Sequence, residues 1–253
     1  MATLPLSVAI ISFNEENNIR RTLESIAPFA AEIILVDSNS TDRTREIASE
    51  FGAKIYLEEW KGHIAQKNSA LEKCSQEWIL CLDCDEVVTP ELVTSLSQAI
   101  TTPQINGWKI NRRTVYLGKT LQYAWQPDRK LRLVRRDSNP VWGGYNPHDV
   151  LFVEGMTGNI NGELLHHSYR DIRQHFEKTV YYAYHTAVSY HAKGKKPSIG
   201  KLLFNPAFSF IRNYIFQRGF LDGIHGFIAA ISAFVYVFLK YVFLWEMKIR
   251  GKE

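Results

Sequence analysis

Over the first hundred residues, short apolar runs alternate with stretches whose apolar positions recur every three or four residues. Residues 6–13 (LSVAIISF), 32–38 (EIILVDS), 53–57 and 78–83 (WILCLD) are brief and rich in β-branched side chains, as buried strands are. Between them, Ile19, Leu23 and Ile26 share one helical face. Ser40-Thr41-Asp42 opens a second helix bearing Ile47 and Phe51, and residues 64–74 form a third. Pro90 stands at the first turn of a fourth. Strand–helix alternation predicts an α/β fold around a mostly parallel, doubly wound sheet. Ligands of such sheets lie beyond the strands' carboxyl ends. Asn14 and Glu15, Asp37 and Ser38, and Asp83 and Asp85 follow strands and become the first candidates.

The pattern changes between residues 107 and 167. Short alternating runs and the WGGYNP segment predict mixed or antiparallel strands that close the sheet. Residues 170–192 return to helix, with Ile172, Phe176, Val180, Ala183, Ala187 and Tyr190 as its expected apolar stripe. The basic stretch KGKKP at 193–197 is the expected boundary between a catalytic domain, 1–192, and a hydrophobic helical region, 193–253. Residues 226–245 hold one formal charge, Lys240, and end at Trp245 before Lys248, Arg250 and Lys252. Twenty apolar residues suffice to cross a bilayer, but the inner lysine and aromatic anchor suit a helix lying at the interface. Packing within a core or oligomer remains the alternative.

Charge sharpens this picture. Residues 1–100 carry 8 basic and 16 acidic side chains, and residues 101–253 carry 22 and 10. A basic second half points to phosphates or an anionic membrane surface. It does not point to nucleic acid, because no aromatic reading motif is interleaved with the basic residues. With 22% charged residues in 253, neither disorder nor a polytopic membrane protein fits. Three cysteines and no basic, cleavable leader suggest a reducing, cytosolic location. Cys81-Leu82-Asp83-Cys84 has redox or zinc spacing, yet Cys81 lies inside an apolar strand, where a buried thiol is ordinary.

Asp83 and Asp85 stand two apart at a strand end. In extended backbone both would point to one side, an arrangement stabilised by a cation between them. Mg²⁺ or Mn²⁺ suits such hard oxygen donors. The plainer reading is an acidic turn before the next helix.

The order SFNEENNI, LVDSNSTDRT and LCLDCDE resembles the N-terminal half of family 2 glycosyltransferases, which have the GT-A fold. EWKGHIAQKNSA, WQPDRKLRLVRR, YNPHDVLFVEG and GELLHHSYRD are similar to the bacterial subfamily containing lipopolysaccharide core β-glucosyltransferases. The resemblance implies an inverting, metal-dependent transfer of a hexose, glucose first, from a UDP-sugar to a lipid-linked glycan at the cytoplasmic membrane surface. Polyprenyl phosphate or another envelope glycan is the alternative acceptor, and a non-catalytic nucleotide-sugar-binding protein the alternative class. By the same resemblance Ser12, Phe13 and Glu15 line the base pocket, and Asp37 meets uracil or ribose. Lys67 approaches the diphosphate. Asp83 and Asp85 form the D-x-D, with Asp85 the more direct ligand of Mg²⁺ or Mn²⁺ and His166 an added contact. Asp149 is the general base, with His148 beside it. Arg129, Arg132, Arg135 and Arg136 could hold acceptor phosphates, and Trp60 or Trp125 could stack on sugar. Plainer readings accompany several of these: Asp37 as a turn cap, Asp149 as a surface turn residue, the arginines as a solvated strand face. Oligomeric state stays open.

Overall fold

The computed structural model describes residues 2–145 and 148–250, apart from the side chains of Tyr145 and His148. The His148 side chain, expected beside Asp149, therefore lies outside the described residues. By packing, the chain forms two units, Met1–Arg112 with Asp128–His167, and Arg113–Pro127 with Ser168–Glu253.

The first unit begins with the expected alternation: β1 (Leu4–Ser12), α1 (Ile19–Ile26), β2 (Ala30–Asp37), α2 (Thr44–Glu50), β3 (Lys54–Leu57), α3 (His63–Glu72) and β4 (Trp78–Leu82). There follow β5 (Glu86–Val88), α4 (Pro90–Ala99), β6 (Ile105–Tyr116), β7 (Lys119–Thr120) and β8 (Arg129–Arg135). The chain continues through β9 (Val141–Tyr145), β10 (His148–Phe152) and β11 (Met156–Tyr169). The unit boundaries fall within β6, just before β8 and within β11, so β7 belongs to the second unit. Among the described residues the main sheet runs β3-β2-β1-β4-β8-β6-β11-β5, with β7 on β6, and β9–β10 form a separate hairpin. The β3-β2-β1-β4 half is parallel, and β8 turns the sheet antiparallel against β4.

Parallel strands covered on both faces have no polar side to show, so their sequences are nearly unbroken apolar runs. Leu6, Val8, Ile10 and Leu35 pack on one face with Leu23, Ile26 and Leu92. Ala9, Ile34 and Val36 pack on the other with Ala70, Leu71 and Trp142. Each fully buried Leu or Ile contributes about 1.5–3 kcal/mol. Pro90 does open α4, after a Thr89 cap whose side chain accepts from Leu92 N–H. Gly162 of β11 has φ +82°, and a Cβ there would lie 2.5 Å from the Leu92 backbone, so only glycine lets β11 and α4 approach this closely.

One expectation needs correction in this unit. β4 ends at Leu82, and residues 83–85 form a turn in which Glu86 N–H donates to Asp83 O at 3.1 Å. Asp83 and Asp85 are therefore not an extended i, i+2 pair. Glu86, overlooked in the motif, is fully buried at the start of β5.

The second unit contains α5 (Ile172–Ala192), α6 (Ile199–Ile211), a π-helical turn at Arg212–Phe216, a 3-10 turn at Gly219–Asp222 and α7 (Ile224–Arg250). By packing, α5 groups with α7, whereas composition puts the expected boundary after α5. Its buried face is His175, Thr179, Ala183 and Ala187, which keeps Ala183 and Ala187 of the expected stripe, whereas Ile172 and Val180 are exposed. A polar pair takes the inner face because His175 Nδ1 meets the buried Tyr116 hydroxyl at 2.8 Å, inside a ring cluster with Trp125 and Tyr169. Trp125 thus packs among aromatic rings. Gly226 of α7 passes so close to Gly219 that a Cβ would overlap its carbonyl oxygen.

Candidate active site

The loops after β1 and β2 are knitted together at the carboxyl end of the parallel strands. Ser12 and Asp37 are register partners, and Ser12 Oγ donates to Asp37 Oδ2 at 2.7 Å. Asp37 also accepts Ser40 N–H at 2.8 Å and lies wholly buried. Its carboxylate caps the Ser38–Ser40 turn, the plainer of its two readings, and Ser12 is buried beside it. Asn14, at φ 54°, accepts Thr41 N–H at 2.9 Å and gives its own N–H to Ser40 Oγ at 2.8 Å. Glu15 N–H donates to Thr44 Oγ1 at 2.7 Å, and its carboxylate accepts from Asn18 at 2.8 Å. Phe13 is left with its ring in solvent, 56% exposed, on a rigidly tied loop.

Beside this rim, Lys67 of α3 reaches two carboxylates at once. Its Nζ is 3.0 Å from Asp83 Oδ1 and 2.8 Å from Asp149 Oδ2. Asp83 Oδ2 accepts Arg132 Nη2 at 2.7 Å, and the same nitrogen donates to Glu86 Oε1 at 2.7 Å. Arg112 lies 3.4 Å from Glu86 and 2.8 Å from Asp128, which Lys130 approaches at 3.1 Å. Charges therefore alternate in sign from Asp149 to Lys130. The Trp142 ring lies under this run, 4.4 Å from Lys67 Nζ and 5.7 Å from the Arg132 guanidinium carbon.

The electrostatics follow from that order. Burial opposes the Asp83 charge, but Lys67 and Arg132 outweigh it and hold the carboxyl well below the usual carboxylate range. Burial likewise opposes the Lys67 charge, and Asp83 and Asp149 raise its pKa regardless of the nearby Arg132. Arg132 is raised too: burial opposes its charge, and Glu86 and Asp83 overcome the penalty.

Asp85 meets a different partner. Its Oδ2 is 3.3 Å from His166 Nε2 on β11, and both side chains are partly accessible. Among the described residues no group of three or more His, Cys, Asp or Glu side chains surrounds a common point. A carboxylate and an imidazole are nonetheless suitable donors for a divalent ion that takes its remaining ligands from a diphosphate and water, as Mg²⁺ and Mn²⁺ do.

Most of the expected site residues are brought together; two arginine expectations change. Arg132 is buried and spent on Asp83 and Glu86, so it is not an acceptor-facing fork. Arg135 pairs with Glu77 at 2.8 Å over the Trp78 ring. Arg129 and Arg136 remain exposed, and Trp60 is exposed against the edge of His63. Cys74, Cys81 and Cys84 are free and buried, and burial pushes the Cys81 thiol up to about 12, far from a reactive thiolate. Sequence reasoning missed Glu86, Arg112, Trp142 and Asn68. The available signal was Arg132 itself: an arginine between Leu131 and Leu133, in a strand buried on both faces, needs an acidic partner.

The comparisons with known proteins bear on family and fold. The family described as Glycosyl transferase family 2 matches residues 7–151. The lipopolysaccharide core biosynthesis glycosyltransferase LpsC of Rhizobium meliloti is 34% identical over 93% of this chain and 90% of its own. An uncharacterized glycosyltransferase of Rickettsia typhi is 28% identical over 98% and 89%. Among solved structures, the mannosyltransferase PcManGT of Pyrobaculum calidifontis, in complex with GDP-Man and Mn²⁺, superposes with a TM-score of 0.56 at 14% identity. It covers 96% of this chain and 88% of that one. S. aureus TarS gives 0.51 at 14% identity over 91% and 55%. The structural likenesses bear on fold, and they fit the GT-A arrangement expected from the motifs. With its family match over more than half its length and a relative above 30% identity along nearly all of it, the chain belongs to glycosyltransferase family 2 and is a nucleotide-sugar glycosyltransferase.

Proposed function

We propose that the chain transfers a hexose, glucose first, with inversion from a UDP-sugar to a lipid-linked glycan of the lipopolysaccharide core type. The observation that carries this reading is the triad Asp149–Lys67–Asp83, in which one ammonium ties a carboxylate of the β9–β10 hairpin to the carboxylate after β4. Asp149 is the general base: Lys67 holds its Oδ2, and Oδ1 receives the proton of the acceptor hydroxyl as that oxygen attacks the anomeric carbon. The exposed Phe13 ring stacks on the nucleobase, with Glu15 at the edge of the same pocket. Ser12 and Asp37 act by shaping this rim. Asp85 and His166 would hold a Mg²⁺ or Mn²⁺ ion, which offsets the charge of the departing diphosphate. Lys67, already charged and close by, adds to that field. Arg129 and Arg136 are the exposed arginines of the expected acceptor set.

The acceptor class rests on the similarity to LpsC and on the second unit. From residue 193 onward the chain has ten basic and three acidic side chains. Phe204, Phe208, Ile215 and Phe216 of α6 and its π-turn, and Trp245 of α7, are exposed. α7 is long and apolar enough to cross a bilayer. An apolar face with flanking cations suits peripheral docking on the anionic, cytoplasmic face of a membrane. The proposed domain organisation is accordingly a catalytic domain and a helical membrane-docking region.

A donor screen tests the reading. UDP-glucose and other nucleotide-hexoses are offered with Mn²⁺, Mg²⁺ or EDTA, with and without lipid-A-core extract, and nucleotide release is measured. The expected result is metal-dependent UDP release stimulated by the extract. Absence of release from every UDP-sugar under all metal conditions contradicts it.

A further inference from the structure

Asp149 lies on a hairpin that no strand ladder joins to the main sheet among the described residues. β9 and β10 pair only with each other, with Asp149 opposite Gly144 and Leu151 opposite Trp142. A two-stranded ribbon is too marginal to hold a side chain in place unaided. Something else must hold this one against α3.

Besides the core packing of Trp142 and Leu151, its polar fastening is Asn68, the residue after Lys67. Its Nδ2 donates to Trp142 O at 2.9 Å, and its Oδ1 accepts Trp142 N–H at 2.8 Å. One side-chain amide thus satisfies both backbone groups of a single β-strand residue, as a neighbouring strand would. It does so at the strand edge facing away from β10, since both Trp142 groups are directed at α3. Trp142 is itself buried, with its ring under Lys67. The clamp therefore joins the residue that seats Lys67 to the helix that carries Lys67, one strand away from Asp149.

We infer that Asn68 is a positioning residue for the transfer reaction: by acting as a surrogate strand for β9, its amide places the hairpin so that Asp149 meets Lys67 and the acceptor. The inference rests on the proposed role of Asp149. A misplacement of one ångström at a reacting group is enough to slow a reaction a hundredfold, so the effect belongs in turnover, not in donor affinity.

The test uses the full chain with Asn68→Ala, which removes both bonds, and Asn68→Asp, which keeps the shape and the acceptor but loses the donor. UDP-glucose turnover with Mn²⁺ is measured together with amide hydrogen exchange. In both variants kcat is expected to fall at least tenfold while KM for UDP-glucose stays within threefold. Exchange is expected to rise in Val141–Tyr145 and His148–Phe152, with the β1 and β2 amides unchanged. Wild-type kcat in both variants overturns the inference, as does unchanged exchange in the hairpin. A general rise in exchange across β1 and β2 also overturns it, since Asn68 is then merely structural. If the wild-type chain does not turn over UDP-glucose, the donor reading fails, and hairpin exchange alone decides on the clamp.

Discussion

Lys67 Nζ donates to Asp149 Oδ2 at 2.8 Å across 82 residues of sequence. The same ammonium, 3.0 Å from Asp83, couples the hairpin bearing the proposed base to the turn that follows β4. Apart from its three partners, Lys67 is nearly enclosed, so its charge acts in a medium where electrostatic contacts are stronger than in water.

Removing a cation from this run leaves buried carboxylates exposed to the full desolvation penalty. Arg132→Met is expected to lower unfolding stability by about 3 kcal/mol, the lower part of the range for breaking a buried pair. Arg112 stays near Glu86 to limit the loss. Urea unfolding of the variant against wild type measures this, and a change under about 1 kcal/mol contradicts the buried network.

Phe13 is unusual in being a large apolar ring held open on a tied loop. Loss of one base–aromatic stack costs about 1–3 kcal/mol. Phe13→Ala should therefore weaken UDP binding roughly tenfold in calorimetry without moving the melting temperature. Unchanged affinity removes Phe13 from the nucleobase pocket.

Asp85 and His166 are predicted to govern metal dependence. Asp85→Asn and His166→Ala should each raise the Mn²⁺ concentration giving half-maximal UDP release, about tenfold or more. Asp83→Asn should chiefly cost stability, because Asp83 is committed to Lys67 and Arg132. Equal metal responses in the Asp83 and Asp85 variants would place the ion between the two aspartates instead.

The second unit should be acid-sensitive. Burial, with a smaller push from Lys178, lowers the His175 pKa from 6.5 to about 4. The unfolded chain binds a proton below about 6.5, whereas the folded chain does so only near 4. Stability is thus fully present above pH 6.5 and drains away as the pH falls toward 4. In the first unit, His63 and His167, lowered mainly by burial, act in the same direction. Melting temperature against pH checks this, and His175→Gln should flatten the slope in that window.

The parallel half of the fold was legible because burial on both faces forces continuous apolar runs, as at β1, β2 and β4. The Asp37 turn, the D-x-D segment and Asp149 could be picked out by motif order. What sequence could not show was which cation each carboxylate meets. Arg132 and Asp83 are 49 positions apart, Asn68 and Trp142 74, and no periodicity connects them. The α5 stripe held at Ala183 and Ala187 but not at Ile172 and Val180, for a related reason: His175 is inward because Tyr116, on another element, supplies its hydrogen bond. A helical wheel weighs apolarity alone and cannot see that partner.

The role of Asp149 is tested most directly by Asp149→Asn, which preserves shape and hydrogen-bonding reach to Lys67 but cannot take a proton. With the active donor and acceptor identified, single-turnover transfer should fall by about a hundredfold or more, while UDP affinity stays within threefold. Transfer at near wild-type rate by the variant would contradict the account.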